Sequence, residues 1–148
     1  MKKTIAVLSI VAFFCLSSLS CKKELTTQER IAKVWVARIV KENSTIVYSS
    51  GGSNNIKPAY SSYRLNLSSP PTATITEIDG QSYTGTYSVQ GDSKIVISGI
   101  SPEPTGTNGV LEFNINSITE DNTELVVQLS TPYPKTGNTT NEYTLISQ

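Results

Sequence analysis

From Val34 to the C-terminus the chain is a succession of short runs rich in β-branched and aromatic residues, separated by turn signals. This pattern is typical of an all-β sandwich or barrel and leaves no room for alternating helices and strands. A threonine N-cap at Thr26, followed by early acidic charge, predicts one short helix before the first strand. We predict nine strands, at residues 34–42, 45–49, 62–67, 73–78, 82–90, 94–99, 109–119, 123–130 and 142–147.

Tight turns between these runs indicate how the strands connect. Asp79-Gly80 predicts a two-residue type I′ hairpin, and Gly91-Asp92 and residues 120–122 predict two further tight turns. Successive tight turns favour pairing between neighbouring strands in an up-and-down meander. Apolar and polar residues alternate along several strands, which predicts one buried face, and the apolar residues are sparse for a solid core. We therefore predict a small up-and-down antiparallel β-barrel of about eight strands, all-β apart from the N-terminal helix.

The N-terminus has the features of an export signal. Lys2-Lys3 is followed by an apolar run at 5–16, too short to span a membrane, and by small residues before Cys21. Cys21, with charged residues directly after it, resembles the lipid-modified cysteine of bacterial lipoproteins, especially those of Bacteroidetes. This resemblance implies a signal peptide at 1–20, a lipid-anchored tether at 21–27 and a barrel domain at 28–148.

The alternative is cleavage by an ordinary signal peptidase, which the small residues Ser18 and Ser20 would also suit. That cleavage would leave a soluble periplasmic protein with a free thiol. The number of cysteines favours the lipid anchor. Cys15 would be removed with the signal peptide, and Cys21 would then have no partner for an intramolecular disulfide. We expect localisation at the outer membrane, on its periplasmic or its surface-exposed face.

Composition excludes several classes of function. The 12 basic and 12 acidic residues balance, and loss of the two signal lysines would leave a slight negative charge, unlike a nucleic-acid-binding protein. The chain has no histidine, which excludes Ser-His-Asp catalysis and histidine zinc sites. Four strand glutamates lie beside apolar neighbours, as on a solvated outer face, and give no pattern of paired catalytic acids: Glu77, Glu112, Glu124 and Glu142. We expect the protein to have no enzymatic activity and to bind no metal and no cofactor.

Two segments carry a family resemblance. Lys33-Val34-Trp35-Val36 opens the first strand, and residues 74–89 read as strand, Asp-Gly, strand, then Gly85-Thr86-Tyr87. Together with the lipoprotein cysteine, they resemble the lipocalin-like lipoproteins of Bacteroidetes. The resemblance implies a barrel that holds one small ligand or fills its interior with side chains.

Aromatic residues provide the candidate sites. Trp35 is expected to pack in the core. Strand aromatics that point inward could orient a ligand, although rings that merely pack are the commoner case: Tyr63, Tyr83, Tyr87, Phe113 and Tyr143. Three long connections lie at 49–59, 101–108 and 131–141. They provide two loop candidates: Tyr60, directly after the first connection, and Tyr133, which is held between two prolines in the third and expected to be exposed.

These observations favour a non-enzymatic, lipid-anchored envelope protein, monomeric, whose barrel binds a small apolar or amphipathic molecule. A solid barrel without a cavity would argue against this hypothesis. The alternative is a surface module that binds a glycan or a protein through its long loops, at Pro132-Tyr133-Pro134 and Gly51-Gly52, with Tyr60 and Tyr133 as the candidate contacts. A third possibility, an immunoglobulin-type sandwich, needs cross-sheet connections that successive hairpins argue against.

Overall fold

A computed structural model describes residues 23–148 as nine antiparallel strands preceded by one short helix. The helix α1 is Thr27–Ile31, and the strands are β1 Val34–Glu42, β2 Thr45–Ser49, β3 Arg64–Ser69, β4 Thr72–Thr76, β5 Ser82–Gln90, β6 Lys94–Ser101, β7 Leu111–Ile118, β8 Glu124–Leu129 and β9 Asn141–Ser147. Every predicted strand is present, with ends within two residues of those expected. The predicted signal at 1–20 and the lipidated Cys21 lie outside the described residues.

The sheet closes into a barrel because β1 has neighbours on both edges. One edge pairs with β9 and ends with Glu42 opposite Asn141. The other edge is divided, since residues 34–36 pair with β3 and residues from Ile39 onward pair with β2. Eight strands, β1 and β3 to β9, therefore form a closed antiparallel barrel, and β2 is an extra strand attached to β1. The predicted fold class is confirmed.

Alternation along the strands places the core inside the barrel. In β8, for example, Leu125, Val127 and Leu129 are buried while the residues between them remain partly exposed. Burial of one such side chain contributes roughly 1.5–3 kcal/mol, so a single inward layer from each strand is a substantial source of stability. Within residues 23–148 the strands and the helix form one continuous core, and we expect these residues to fold as a unit.

A β-bulge in β1 changes which side chains point inward. Ala37 lies opposite Leu145 and Ile39 lies opposite Thr144, so Arg38 is an extra residue on β1. A bulge of this kind reverses the alternation beyond it. As a result the buried positions shift from odd to even numbers, and Glu42 points into the barrel.

Helix α1 closes the end of the barrel where β1 begins. Thr26 and Glu29 form a capping box at the helix start, as expected from a threonine N-cap. Ile31, the last residue of the helix, has a fully buried side chain, and its carbonyl accepts a 2.8 Å hydrogen bond from Trp35 Nε1. The predicted packing role of Trp35 is thus confirmed, and Arg30 fixes the helix to Asn122 in the β7–β8 turn. No helix in the described part of the chain is long and apolar enough to cross a membrane.

The turns mostly follow the sequence signals, with one correction. Gly91 and Asp92 both have positive φ, as the prediction required. Asp79-Gly80 does not form the predicted two-residue turn, because only Gly80 has positive φ and Glu77 pairs with Gln81 across a three-residue loop. The hairpin between β1 and β2 instead has two central residues with positive φ, at 43 and 44.

Candidate functional site

The barrel end opposite α1 carries the long connections and most of the buried polar side chains. Here β1 ends, β9 begins, and the segments 50–63, 102–110 and 130–140 connect the strands. The residues 130–140, which we call the strap, and the residues 102–110, which we call the rim loop, cover this end. Glu42, Glu77 and Asn141 are its buried polar or charged residues.

Most of the predicted ligand-contacting aromatics pack against one another in this half of the barrel. The rings of Tyr63 and Tyr143 are stacked with centroids 4.7 Å apart. Phe113 and Tyr60 each meet the ring of Tyr143 edge-on, at 6.3 and 6.2 Å. These four rings contact one another and occupy the barrel interior at this end. Contact of Tyr63, Phe113 or Tyr143 with a ligand remains a prediction.

Tyr83 and Tyr87 occupy two other places. The Tyr87 hydroxyl donates a 2.9 Å hydrogen bond to the Leu67 carbonyl, deeper in the barrel and nearer α1. Tyr83 lies at the loop end, where its hydroxyl accepts a 2.6 Å hydrogen bond from Lys135 Nζ. The structure therefore brings Tyr63, Phe113 and Tyr143 together but separates Tyr87 from them.

The expected exposure of Tyr133 is wrong, and Tyr60, which the surface-module alternative needs exposed, is buried as well. Tyr60 is fully buried in a 3₁₀ turn, Pro58–Ser62, where its hydroxyl donates to Glu42 Oε1 at 2.7 Å. Tyr133 is 2% exposed, and its hydroxyl donates to Glu77 Oε1, also at 2.7 Å. Each phenol is drawn inward because it satisfies a carboxylate that the barrel rim has buried.

The predicted position of Glu77 on the solvated outer face is also wrong. It is 3% exposed and shares the inward side of the chain with Ala73 and Ile75, four and two residues earlier, respectively. That shared parity was visible in the sequence. Glu42 was not singled out at all, since the bulge that turns it inward has no local sequence signal.

Each of these two glutamates is held by a tyrosine, and a lysine lies nearby. Lys57 Nζ lies 2.6 Å from Glu42 Oε2, forming a direct ion pair. The second lysine, Lys135, instead pairs with Asp79 at 2.8 Å, and none of the ion pairs among residues 23–148 includes Glu77. Glu77 is thus a buried carboxylate with a hydrogen bond but no salt bridge.

The strap crosses the mouth of the barrel. It leaves β8, which stands opposite β4 in the ring of eight strands, and its residues Tyr133 and Lys135 reach the β4–β5 turn. The strap is also bonded to itself, since the Tyr133 amide donates to the Thr139 carbonyl at 2.9 Å. Pro134 packs on the rim loop, where a Cβ on Gly106 would lie only 2.7 Å from Pro134 Cγ.

Burial and hydrogen bonds shift the pKa values of three charged groups at this end. Desolvation raises the pKa of Glu77 above its ordinary value, although the Tyr133 hydroxyl and the charge of Lys135 act in the opposite direction. The hydrogen bond from Lys135 lowers the pKa of Asp79. Burial acts to lower the pKa of Lys135, but its contacts with Asp79 and Tyr83 outweigh this effect and raise it.

A recess of about 390 Å³ lies between the strap and the rim loop. Its volume falls in the range of small-molecule sites, which is roughly 300–1,000 Å³. Leu111 and Leu129, both core residues, contribute to its wall, so the recess borders the barrel interior. The other lining residues come from the two loops and β7: Gly106, Thr107, Asn108, Val110, Glu112, Thr131, Pro132, Tyr133 and Pro134.

Residues 23–148 contain no group of three or more histidine, cysteine, aspartate or glutamate side chains that could hold a metal ion. Comparisons of the chain with protein-family models, curated proteins and solved structures found no match.

Proposed function

We propose that this chain is a lipid-anchored, non-enzymatic protein of the bacterial outer membrane whose barrel binds a small apolar or amphipathic molecule at its loop end. The observation that carries the proposal is the recess between the strap and the rim loop. Its wall combines the apolar side chains of Val110, Leu111 and Leu129 with the hydroxyl and amide groups of neighbouring loop residues. This combination suits a ligand with an apolar body and a polar group.

The packing of the barrel supports the loop end as the binding place. Trp35 and the aromatic cluster around Tyr143 are among the largest fully buried side chains. A ligand on the barrel axis would have to displace rings that already contact one another. The recess needs no such displacement, so it replaces the interior as the expected site.

The anchor fits this arrangement. Six residue steps separate Cys21 from Thr27, the first residue of α1, and six extended residues reach at most about 20 Å. A lipid on Cys21 would therefore hold the α1 end close to the membrane. The recess at the opposite end would then face away from the membrane, where a ligand can reach it.

Cell fractionation tests the anchor. The wild-type protein is expected in the membrane fraction with a lipid on Cys21, and Cys21→Ala is expected to lose the lipid. Cys15→Ala is the matched control, because it changes a cysteine within the signal and should leave the anchor intact. A wild-type protein found free in the periplasm would contradict the anchor and support ordinary signal cleavage.

Ligand binding can be tested with residues 23–148, which contain the whole barrel and α1. The probe is N-phenyl-1-naphthylamine, an apolar dye that is uncharged at neutral pH and fluoresces when bound. Val110→Glu places a charge at the recess and should weaken dye binding at least about tenfold, equivalent to about 1.4 kcal/mol. Ile46→Glu is the control, since Ile46 is another exposed apolar residue, on β2, and does not line the recess. Equal binding by the two variants would contradict the recess as the site.

The surface-module alternative loses its main support. It depended on exposed loop aromatics, and both Tyr60 and Tyr133 are buried against carboxylates. We therefore do not favour glycan or protein binding through these two residues.

A further inference from the structure

The strap is bonded to itself rather than to the backbone of the barrel. In the described part of the chain, every backbone hydrogen bond of residues 131–139 joins two residues of the strap. Only its two ends are fixed to the barrel backbone. The Ser130 amide donates to the Glu112 carbonyl at 2.9 Å, and the Thr140 carbonyl accepts from the Asn43 amide at 3.0 Å. The strap is therefore a self-contained loop between two fixed ends.

Two side chains fasten the middle of the strap to the far side of the barrel mouth. The Tyr133 hydroxyl donates to Glu77 Oε1 at 2.7 Å, and Lys135 Nζ lies 2.8 Å from Asp79 Oδ2. Further side-chain contacts lie at the two ends of the strap or on the rim loop: Ser130 with Asn114, Thr136 and Thr139 with Asn141, and Pro134 with Gly106. Separation of the two fastening contacts would free the middle of the strap without breaking any hydrogen bond between strands.

The closed position of the strap combines a gain with a cost. Closure buries the ring of Tyr133 and forms its hydrogen bond to a carboxylate. The same contact covers Glu77, which is 3% exposed and forms no ion pair within residues 23–148. Burial of a carboxylate without a direct counter-charge is unfavourable, and opening would return it to water. We therefore expect opening of the strap to require less free energy than unfolding of the barrel.

The strap also forms one wall of the recess. Four consecutive strap residues, 131–134, line it on the side opposite the rim loop. Because these residues would move when the strap opens, the complete recess exists only in the closed position. Glu77 and Asp79 do not line the recess, so they act on it only through the strap. A ligand that binds the closed form alone stabilises that form.

We propose that the strap is a lid that opens as a unit while the barrel stays folded, and that a ligand in the recess holds it closed. The contacts of Tyr133 with Glu77 and of Lys135 with Asp79 are its latch. The part played by the ligand rests on the proposed ligand-binding function, whereas the opening of the strap does not.

Trypsin cleavage of residues 23–148 measures the opening. The strap contains one cleavage site, the bond after Lys135, whose side chain is 17% exposed in the closed strap. When opening and closing are fast, the cleavage rate follows the population of the open form. The bonds after Arg38 and Lys41 lie in β1, which is paired on both edges, and report unfolding of the barrel. At pH 8 cleavage after Lys135 should be at least about tenfold faster than cleavage in β1.

Variants of the latch should change the cleavage rate after Lys135 in opposite directions. Tyr133→Phe should raise it at least about tenfold, because a buried carboxylate loses its hydrogen bond in the closed position. Asp79→Asn, in an exposed turn, should raise it about two- to fivefold. Glu77→Gln should lower it at least about threefold, because an amide accepts the same bond without a buried charge. Tyr87→Phe is the control, since it should accelerate only cleavage in β1, about fivefold.

The dye N-phenyl-1-naphthylamine tests the effect of a ligand on the lid. At ten times its dissociation constant, the dye should slow cleavage after Lys135 about tenfold. The matched control is Val110→Glu, a change on the rim loop that should weaken dye binding. At the same dye concentration this variant should show little protection.

The outcomes separate the lid from the proposed function. Cleavage after Lys135 no faster than cleavage in β1, or equal responses of the two regions to Tyr133→Phe, would overturn the lid while the recess remained a binding site. Bound dye that leaves cleavage after Lys135 unchanged would overturn closure by the ligand. Absence of dye binding would overturn the ligand-binding function and the ligand's part in this inference, and the cleavage rates of the latch variants would still decide whether the strap opens.

Discussion

The hydrogen bond from Tyr133 to Glu77 gives the sharpest test of how the strap is held. The two oxygen atoms are 2.7 Å apart and both residues are almost completely buried. A hydrogen bond to a charged group contributes about 1.5–3 kcal/mol, against about 1 kcal/mol for a neutral pair. We therefore expect Tyr133→Phe to lower the free energy of unfolding by about 2–3 kcal/mol at pH 8.

The matched control is Tyr87→Phe. It also deletes a buried tyrosine hydroxyl, but that hydroxyl donates to the uncharged Leu67 carbonyl at 2.9 Å. The expected cost is about 1 kcal/mol, and it should not depend on pH.

The cost at Tyr133 should depend on pH. Burial raises the folded-state pKa of Glu77 above its ordinary value of 4.5, so the stability that its protonation provides is complete below pH 4.5. That contribution is lost as the pH rises through the folded-state pKa. Asp79, whose pKa is lowered, stays charged over this window, and Lys135, whose pKa is raised, also stays charged. The cost of Tyr133→Phe should therefore be largest at pH 8 and decrease towards pH 4.5.

Urea unfolding, followed by the fluorescence of the single tryptophan Trp35, measures these free energies. The wild type, Tyr133→Phe and Tyr87→Phe would be compared at pH 8 and pH 5. A cost for Tyr133→Phe at pH 8 no greater than that for Tyr87→Phe, or a cost that does not change with pH, would refute the charged hydrogen bond.

Three further predictions concern the barrel rim and the strands. Glu77→Gln should raise the melting temperature at pH 8, because an amide accepts the same hydrogen bond without a buried charge. The variant should also lack the increase in stability expected of the wild type between pH 8 and pH 4.5. A lower melting temperature than that of the wild type at pH 8 would contradict this prediction. Gly85→Ala should cost about 1–3 kcal/mol in urea unfolding, because the new Cβ would lie 2.7 Å from the Ser98 carbonyl oxygen; an unchanged midpoint would show that the strands can separate freely. Deletion of Arg38 removes the extra residue of the bulge and leaves Ala37, Val40 and Glu42 on the inward side in regular alternation, so cooperative unfolding should be retained. Arg38→Ala should cost less than about 1 kcal/mol. Loss of cooperative unfolding on deletion would argue against this description of the bulge.

The positions of the strands could be predicted because their signals are local. Alternation and turn residues lie within a few positions of the strands they define, and the barrel follows when each strand pairs with its neighbour. The turn at Asp79-Gly80 differed because a short pair of turn residues is compatible with both a two-residue loop and a three-residue loop. The two-residue type I′ turn needs positive φ at both Asp79 and Gly80, whereas in the observed three-residue loop only Gly80 has positive φ.

The burial at the loop end was harder to predict because it depends on contacts far apart in sequence. Tyr133 is buried by Glu77, 56 residues earlier, and only the closed barrel brings the strap over the β4–β5 turn. The inward direction of Glu42 depends on the bulge at Arg38, which interrupts an otherwise regular alternation. Strict alternation from Trp35 would have placed Glu42 on the outer face.

The most direct test of a ligand site at the strap is the methyl NMR spectrum of residues 23–148 during titration with N-phenyl-1-naphthylamine. Binding in the recess should shift the methyl signals of Val110, Leu111 and Leu129 and leave those of Leu67 and Ile95, near the α1 end, unchanged. Shifts centred on Leu67 and Ile95, or no shifts at any methyl group, would contradict a binding site between the strap and the rim loop.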